Sequence, residues 1–157
     1  MDHAQQWLEL ESIKRLKARY FRCMDTKDWA GWRDVFTEDA ALEFDLAVST
    51  LGRPGQPAPK LVGRDAILAY VSEAFASNQT VHHGHMPEIE LVSATEARGV
   101  WAMEDIVDDG HRVVHGYGHY HETYRKVGGA WRIASVHLTR IRMSQLLRDR
   151  MTPLIQR

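Results

Sequence analysis

The segment TVHHGHMP, residues 80–87, holds three histidines, His82, His83 and His85, which are well suited to proton chemistry. An imidazole changes its charge near neutral pH, so a histidine can act as a general acid or base, and it is also a common metal ligand. Successive side chains on a strand point to opposite faces, so His82 and His83 cannot both face an interior. At most one of the two is therefore expected inside the fold.

A carboxylate on a second predicted strand, residues 97–107, is the next candidate. Its odd positions are apolar or glycine apart from Asp105, and they include Trp101 and Met103, while its even positions include Arg98 and Glu104. A carboxylate that faces an apolar interior is costly unless it is paired, so we expect a cationic or donor partner near Asp105. The alternative is that Asp105 lies at the wet end of the strand.

Asp25 raises the same question at the end of a predicted helix. It lies one turn beyond Phe21, beside the apolar stripe, where a helix C-terminus disfavours a negative charge. Tyr20 lies on that stripe and could direct its hydroxyl into the same space. The alternatives are that Asp25 is a turn residue in DTKD and that Tyr20 is an ordinary core tyrosine.

Metal and cofactor chemistry is not expected. HGH with Glu88 or Glu90, and HYHE at residues 119–122, superficially match the HxH…E metal pattern of cupins, but cupins are nearly all strand, whereas the first half of this chain predicts helices. The chain has no G-x-S-x-G elbow, no P-loop and no dinucleotide fingerprint. Proton transfer by a histidine paired with a carboxylate is the chemistry that remains.

Composition limits the partners. The 157 residues carry 20 Lys and Arg against 21 Asp and Glu, with no basic stripe. Nucleic acid is therefore not expected as a partner, and a small hydrophobic or weakly polar ligand is expected instead. The lone Cys23 excludes an intramolecular disulfide, and the N-terminus has no signal-peptide pattern. No apolar run approaches the roughly 20 residues that span a bilayer, so we expect a cytoplasmic protein without membrane contact.

Three helices are predicted in the first half of the chain. The first covers Leu10–Met24, with Lys14, Arg15, Lys17 and Arg19 opposite its apolar stripe. Asp28 caps a second, whose apolar face is Trp29, Trp32, Val35 and Phe36 and which TEDA breaks. The third covers residues 63–77, with Ile67, Tyr70, Val71, Ala74 and Phe75 facing inward.

Strands dominate the rest. AALEFDL predicts one strand with Leu42, Phe44 and Leu46 inward, and the proline-rich segment that follows, within residues 47–60, predicts a long loop of the kind that often forms a lid. A period of two then runs through residues 80–83, 87–92, 97–107, 113–126 and 130–142. We expect one α+β domain over residues 1–157, with a core at about 8–142, and a tail, 143–157, that forms a helical turn or a subunit contact.

The segments CMDTKDWAGWRDVFTEDA, TVHHGHMPEIEL and GHYHETYRKVGGAWRIASVHLTRIR together resemble the SnoaL-like branch of the nuclear transport factor 2 superfamily. Its enzymes include scytalone dehydratase, bile acid 7α-dehydratase and hexachlorocyclohexane dehydrochlorinase. The resemblance implies a cone-shaped α+β barrel, in which a curved mixed or antiparallel sheet wraps over three helices. It also implies a homodimer or homotrimer, for which we expect Tyr117, Trp131 and Ile133 to be buried between subunits.

The resemblance assigns roles to particular residues. Asp25 matches a carboxylate that pairs with a histidine, and His82 matches that histidine, which removes a proton from the substrate, with His83 on the opposite face and His85 at the frayed end of the strand. Tyr20 matches a polar helix position that helps the leaving group in some members, and Asp105 matches an acidic residue on the long strand. Arg140 corresponds to a cationic group near the mouth, with Arg142 as the competing choice.

The implied activity is that of a cofactor-independent lyase or isomerase, of the dehydratase or elimination type, acting on a hydrophobic cyclic, polyketide-like or steroid-like substrate. Phe44, Trp101, Met103 and Tyr120 are the expected substrate-binding residues. Phe44 stands where several dehydratases carry a tyrosine, and Val107 stands near the position of a second histidine in scytalone dehydratase. Both differences argue against dehydration specifically and leave base-promoted elimination and isomerisation open. The alternatives are a small-ligand binding protein and an assembly protein like the β subunit of ring-hydroxylating dioxygenases.

Overall fold

The structure is a computed structural model that describes residues 1–50 and 55–147. Three helices and six strands follow one another along the chain: α1 (His3–Asp25), α2 (Trp29–Arg33), β1 (Phe36–Phe44), β2 (Leu61–Val62), α3 (Arg64–Phe75), β3 (Gln79–Leu91), β4 (Glu96–Asp108), β5 (Arg112–Val127) and β6 (Ala130–Leu147).

The six strands form one mixed sheet in the order β2-β1-β6-β5-β4-β3. β3 to β6 form an antiparallel meander, whereas β1 runs parallel to β6. β2 and β3 are the edges of this sheet and do not pair with each other within the described ranges, so the sheet stays open. The predicted α+β class and cone-like fold are confirmed.

α1 supplies the core residues that cover the sheet. Asp2 caps its N-terminus by accepting a hydrogen bond from the Gln5 amide at 2.8 Å. Its buried apolar residues recur every three or four positions and are Ile13, Leu16, Tyr20, Cys23 and Met24. Lys17 also lies on this stripe and is fully buried, so its prediction as a surface residue is wrong.

The region after Arg33 differs from the sequence prediction. Asp28 caps α2 through the Gly31 amide, as expected, but the helix ends at Arg33 and TEDA continues a strand. Val35 and Phe36 are buried, yet Phe36 begins β1 and Val35 directly precedes it, where the Ile133 amide donates to the Val35 carbonyl at 2.8 Å. Pairing with β6 outweighs the local helical pattern here.

The inward pattern of β1 ends earlier than predicted. Leu42 is buried, but Leu46 is half-exposed and Asp45 is buried, because the strand stops at Phe44 and the chain turns back. The returning segment is hydrogen-bonded to this turn through Leu46 with Gln56 and Ala58 with Phe44. The predicted lid falls partly on residues 51–54, which lie outside the described residues.

α3 presents a narrower apolar face than predicted. Ile67 and Val71 are buried and Phe75 is partly buried against the core, but Ala74 and Tyr70 are exposed. The helix packs mainly against β1, so only one side of it is covered. Tyr70 lies at the edge of that contact, with its ring centroid 6.2 Å from that of Phe44.

The later strands are longer than predicted. The two segments predicted at residues 80–83 and 87–92 form one strand, β3, which ends at Leu91 and whose pairing with β4 shifts between His85 and Glu88. β6 extends to Leu147, so residues 143–147 of the predicted tail are strand, and residues 148–157 lie outside the described residues. None of the described helices is long and apolar enough to cross a membrane.

Two residues expected between subunits belong to the core. Trp131 is buried and donates its indole N–H to Glu9 at 2.6 Å, and Ile133 is fully buried. Both side chains face the helix-covered side of the sheet, so they are not available to a partner. Tyr117 is half-buried, and homo-oligomerisation stays a prediction.

Candidate active site

A cavity of about 80 Å³ lies between the helices and the sheet. Its polar lining residues include Tyr20, His82, Asp105, Tyr120 and Arg140, and most of the others are apolar residues of α1, α2, α3, β1 and β6. Four grooves elsewhere are larger, at about 560, 600, 520 and 390 Å³, but they are more open to solvent and do not include the predicted site residues. The cavity is therefore the place where the candidate groups converge.

The end of α1 meets β3 at Asp25 and His82. The Nδ1 atom of His82 lies 2.6 Å from Oδ1 of Asp25, and the His82 backbone amide donates to Oδ2 at 2.8 Å. The Thr80 hydroxyl donates to Oδ1 at 2.9 Å. The carboxylate is thus held by two side chains and one backbone amide, all of β3, which fixes its orientation toward the imidazole.

The protonation of this pair follows from its contacts. Burial raises the pKa of the Asp25 carboxyl, but the hydrogen bonds and charge of His82, together with the Thr80 hydroxyl, outweigh it and hold the pKa below its usual value. An ionised Asp25 accepts the proton on Nδ1 and leaves the lone pair on Nε2. Nε2 of His82 has no hydrogen-bond partner in the described part of the chain, and His82 lines the cavity.

Phe21 and Gly84 set the position of the His82 ring. The Phe21 ring stacks on the imidazole with a centroid separation of 6.5 Å and an interplanar angle of 11°. A Cβ atom at Gly84 would overlap the Phe21 ring, so only glycine allows this packing. His83 and His85 are exposed, whereas His82 is buried.

Asp105 has the cationic partner that its inward position requires. Arg140 donates from Nη1 to Oδ1 and from Nη2 to Oδ2 of Asp105, both at 2.8 Å, in a bidentate ion pair. A Cβ at Gly116 would overlap both groups, so β5 needs glycine where it passes the pair. Arg142 is exposed, which places Arg140 and not Arg142 at the cavity.

Tyr20 and Tyr120 bring phenol groups to the same cavity. Burial raises the pKa of Tyr20, and the nearby Glu122, Asp105 and Asp25 carboxylates raise it further. Burial likewise raises the pKa of Tyr120. Both phenols therefore stay protonated at neutral pH, and neither hydroxyl has a hydrogen-bond partner among residues 1–50 and 55–147. Each can donate to a bound molecule.

A buried ion pair lies against these two tyrosines, and it was not predicted from the sequence. Lys17 pairs with Glu122, and both side chains are fully buried. The Lys17 ammonium lies 3.6 Å from the ring centroid of Tyr120 and 4.1 Å from that of Tyr20. Burial lowers the pKa of Lys17 and Glu122 opposes that change. Lys17 lies four positions after Ile13, which is one helical turn, so the spacing in the sequence could have placed Lys17 on the apolar stripe.

The predicted substrate-binding residues divide into two groups. Phe44 and Tyr120 line the cavity. Trp101 and Met103 are buried in the core and not in the cavity wall, which differs from the prediction. Trp101 donates its indole N–H to the Tyr124 hydroxyl at 2.8 Å, so its polar edge is already used within the protein.

Three further histidines, His119, His121 and His137, lie together on the outer face of β5 and β6. The ring centroids of His119 and His121 are 6.2 Å apart, and those of His121 and His137 are 6.3 Å apart. Three or more His, Cys, Asp or Glu side chains that could hold a metal ion do not converge anywhere in the described ranges.

Known proteins resemble this chain in sequence and in fold. Residues 5–137 match the SnoaL-like domain. A probable cyclase, FGR4, of Gibberella zeae is 26% identical over 133 residues, which cover 82% of this chain and 89% of that protein. A candidate scytalone dehydratase of Novosphingobium aromaticivorans has a TM-score of 0.79 at 21% identity, over 91% of each chain. The hexachlorocyclohexane dehydrochlorinase LinA-type3 of Novosphingobium barchaimii has a TM-score of 0.75 at 15% identity, over 97% of this chain and 99% of that one.

Proposed function

Because the chain belongs to the SnoaL-like domain family, we propose that it is a small-molecule lyase or isomerase in which His82, held by Asp25, is the general base. The observation that carries this proposal is the 2.6 Å contact between the two side chains, of which His82 lines the cavity between the helices and the sheet. The names of a cyclase, a candidate dehydratase and a dehydrochlorinase among the similar proteins favour the same class of reaction.

In the proposed reaction, Nε2 of His82 takes a proton from a carbon next to an activating group of the substrate. The electron pair of the broken C–H bond forms a new double bond. In an elimination, the leaving group departs from the adjacent carbon with its own electron pair; in an isomerisation, the imidazolium returns the proton to another carbon. Asp25 stabilises the imidazolium that forms in between, because its carboxylate remains ionised.

Tyr20, Tyr120 and Arg140 are the proposed groups that stabilise developing negative charge. The phenols stay protonated and can donate to an oxygen of the substrate. Arg140 is held by Asp105, and its Nε atom is buried without a hydrogen-bond partner in the described residues. A substrate oxygen or halide that reached Nε would satisfy that donor.

The cavity favours a neutral, largely apolar substrate. Asp105 neutralises Arg140, and the walls from Leu42, Phe44 and Leu138 are apolar. The volume of about 80 Å³ equals only a few water molecules, so a ring-sized substrate enters when side chains at the rim, such as Tyr70, move aside.

The mostly apolar lining also fits a second candidate function, a binding protein for a small hydrophobic ligand without turnover. In that case the contact between Asp25 and His82 would only attach α1 to β3. The two functions differ in whether a bound molecule exchanges hydrogen with solvent.

Incubation of the protein with a panel of cyclic ketones, hydroxyketones and chlorinated rings in D₂O tests the proposal. Mass spectrometry and NMR would follow loss of the leaving group and uptake of deuterium at carbon. We expect deuterium uptake or product formation with at least one class. Tight binding of a panel member with neither reaction would favour the binding protein.

A further inference from the structure

Lys27 occupies a backbone position where glycine is the usual residue. It has a φ of 60°, and it is the one non-glycine residue with positive φ in the described ranges. The Lys27 amide bonds to the Met24 carbonyl at 3.3 Å and the Asp28 amide bonds to the Cys23 carbonyl at 2.9 Å, which is the Schellman pattern at the end of a helix. Glycine would adopt this conformation without strain, so we expect a contact of the lysine side chain that offsets the cost of the positive φ.

The Lys27 side chain reaches the neighbouring strand at the candidate site. Its ammonium donates to the Thr80 hydroxyl oxygen at 2.8 Å, and Thr80 lies 2.9 Å from Oδ1 of Asp25. An ammonium has donors only, so the Thr80 oxygen accepts from Lys27 and its single hydrogen goes to Asp25. Donation therefore runs from Lys27 through Thr80 to Asp25, and the same carboxylate also accepts from the Nδ1–H and the backbone amide of His82.

Among the described residues Lys27 forms no direct ion pair, so Thr80 is its connection to the carboxylate. Burial lowers the pKa of Lys27, and attraction to the Asp25 carboxylate offsets part of that change. The other titratable groups that face Asp25 are His82 on β3 and Tyr20 on α1. Lys27 thus supplies the positive charge that offsets Asp25 when the imidazole is neutral.

We propose that Lys27 is a positioning residue of the site, which acts through Thr80 to keep Asp25 ionised and directed at His82. Substrate contact is not part of this role, since Lys27 does not line the cavity. The kinetic consequence rests on the proposed general-base function: with the nearby cation in place, the imidazolium form is disfavoured, and the base form persists to lower pH.

Variants of Lys27 separate this role from a structural one. Lys27→Gly removes both the cation and the backbone strain, Lys27→Met removes only the cation, and Lys27→Arg retains the charge. Thr80→Val removes the relay, and Thr80→Ser retains its hydroxyl. A merely structural lysine would leave the site unchanged in Lys27→Gly, because glycine suits the turn better.

The first measurement is the ¹³C NMR titration of the Asp25 carboxyl, which needs no substrate. We expect Lys27→Gly, Lys27→Met and Thr80→Val each to raise the pKa of Asp25 by about half a pH unit to one pH unit, with Thr80→Ser close to the parent. The unfolding midpoint of Lys27→Gly should equal or exceed that of the parent. An unchanged Asp25 titration in both Lys27→Gly and Lys27→Met would overturn the proposal.

The second measurement is the pH profile of kcat/KM on a substrate from the panel. We expect the acid limb to move to higher pH in Lys27→Gly by a similar amount, so that kcat/KM falls about threefold to tenfold on that limb and stays within about twofold on the alkaline plateau. A uniform loss at all pH values would contradict the electrostatic role. If no substrate turns over, the proposed function fails, while the Asp25 titration still decides the role of Lys27.

Discussion

The imidazole of His82 and the carboxylate of Asp25 are in contact at 2.6 Å although 57 positions separate them in the chain. The contact exists because the C-terminal end of α1 packs against β3, so one helix end and one strand each contribute one half of the pair. The Asp25 carboxylate also accepts the backbone amide of His82, which ties the orientation of the side chain to the strand itself. The pair is therefore positioned by the fold and not by a flexible loop.

The Asp25 contacts predict how stability changes in acid. The folded state holds the pKa of Asp25 below its value in the unfolded chain, so its contribution is complete above about pH 4 and is lost as pH falls through the lower, folded-state value. The measurement is the free energy of unfolding of the parent and of Asp25→Asn between pH 6 and pH 3. We expect the difference between the two proteins to shrink toward the acid end; a difference that stays constant would contradict the assignment.

A side chain larger than hydrogen at position 116 should destabilise the protein through steric overlap. In Gly116→Ala the new methyl group would overlap the Arg140 guanidinium and the Asp105 carboxylate. We expect a loss of about 1–3 kcal/mol in the free energy of unfolding, measured by chemical denaturation, as typical of overpacking. Tyr117→Phe, at the next position and on the opposite face, is the control and should stay within about 0.5 kcal/mol. Equal stability of Gly116→Ala and the parent would mean that the ion pair lies elsewhere.

The effects of replacing Lys17 and Glu122 on the free energy of unfolding should be strongly non-additive. Each single variant, Lys17→Met or Glu122→Leu, leaves one buried charge without its partner, so each should cost about 3–5 kcal/mol of unfolding free energy. The double variant removes both charges and should cost clearly less than the sum. A double-mutant cycle from denaturation curves gives the coupling. Additive losses would show that the two charges do not depend on each other.

Replacement of Arg140 by lysine should lower kcat/KM because the geometry of the guanidinium is lost, although the charge is kept. Arg140→Lys keeps the positive charge but cannot form the bidentate pair with Asp105 or offer an Nε donor. We expect kcat/KM to fall about 10- to 100-fold on a turned-over substrate, from the loss of one well-placed donor in a dry site. Arg142→Lys, at an exposed position, is the matched control and should behave like the parent. Similar activity of both lysine variants would remove Arg140 from the proposed mechanism.

Strand periodicity made much of the sheet predictable from sequence. The alternation in residues 97–107 gave the inward position of Asp105 together with its need for a cation. Interactions between distant segments were not predictable from local pattern. Phe36 continues a helical stripe in the sequence, and only its pairing with Ile133 makes it a strand residue.

Side-chain reach also escaped the pattern. Lys17 was predicted on the polar face of the first helix, and no role was predicted for Lys27, because lysines in a helix or a turn normally face water. Lys17 is buried because Glu122 on β5 neutralises it, and Lys27 is half-buried because its long side chain extends to Thr80 on β3. Each depends on a partner more than 50 positions away along the chain, at separations of 105 and 53 residues.

The general-base role of His82 is tested most directly by comparing kcat of His82→Gln and His83→Gln on a substrate from the panel. Circular dichroism checks that both variants are folded. The two histidines are adjacent in the chain, but only His82 lines the cavity. General-base catalysis by His82 predicts that kcat falls about 10²- to 10⁴-fold in His82→Gln and stays within about twofold in His83→Gln. Full turnover by a folded His82→Gln protein would contradict the mechanism.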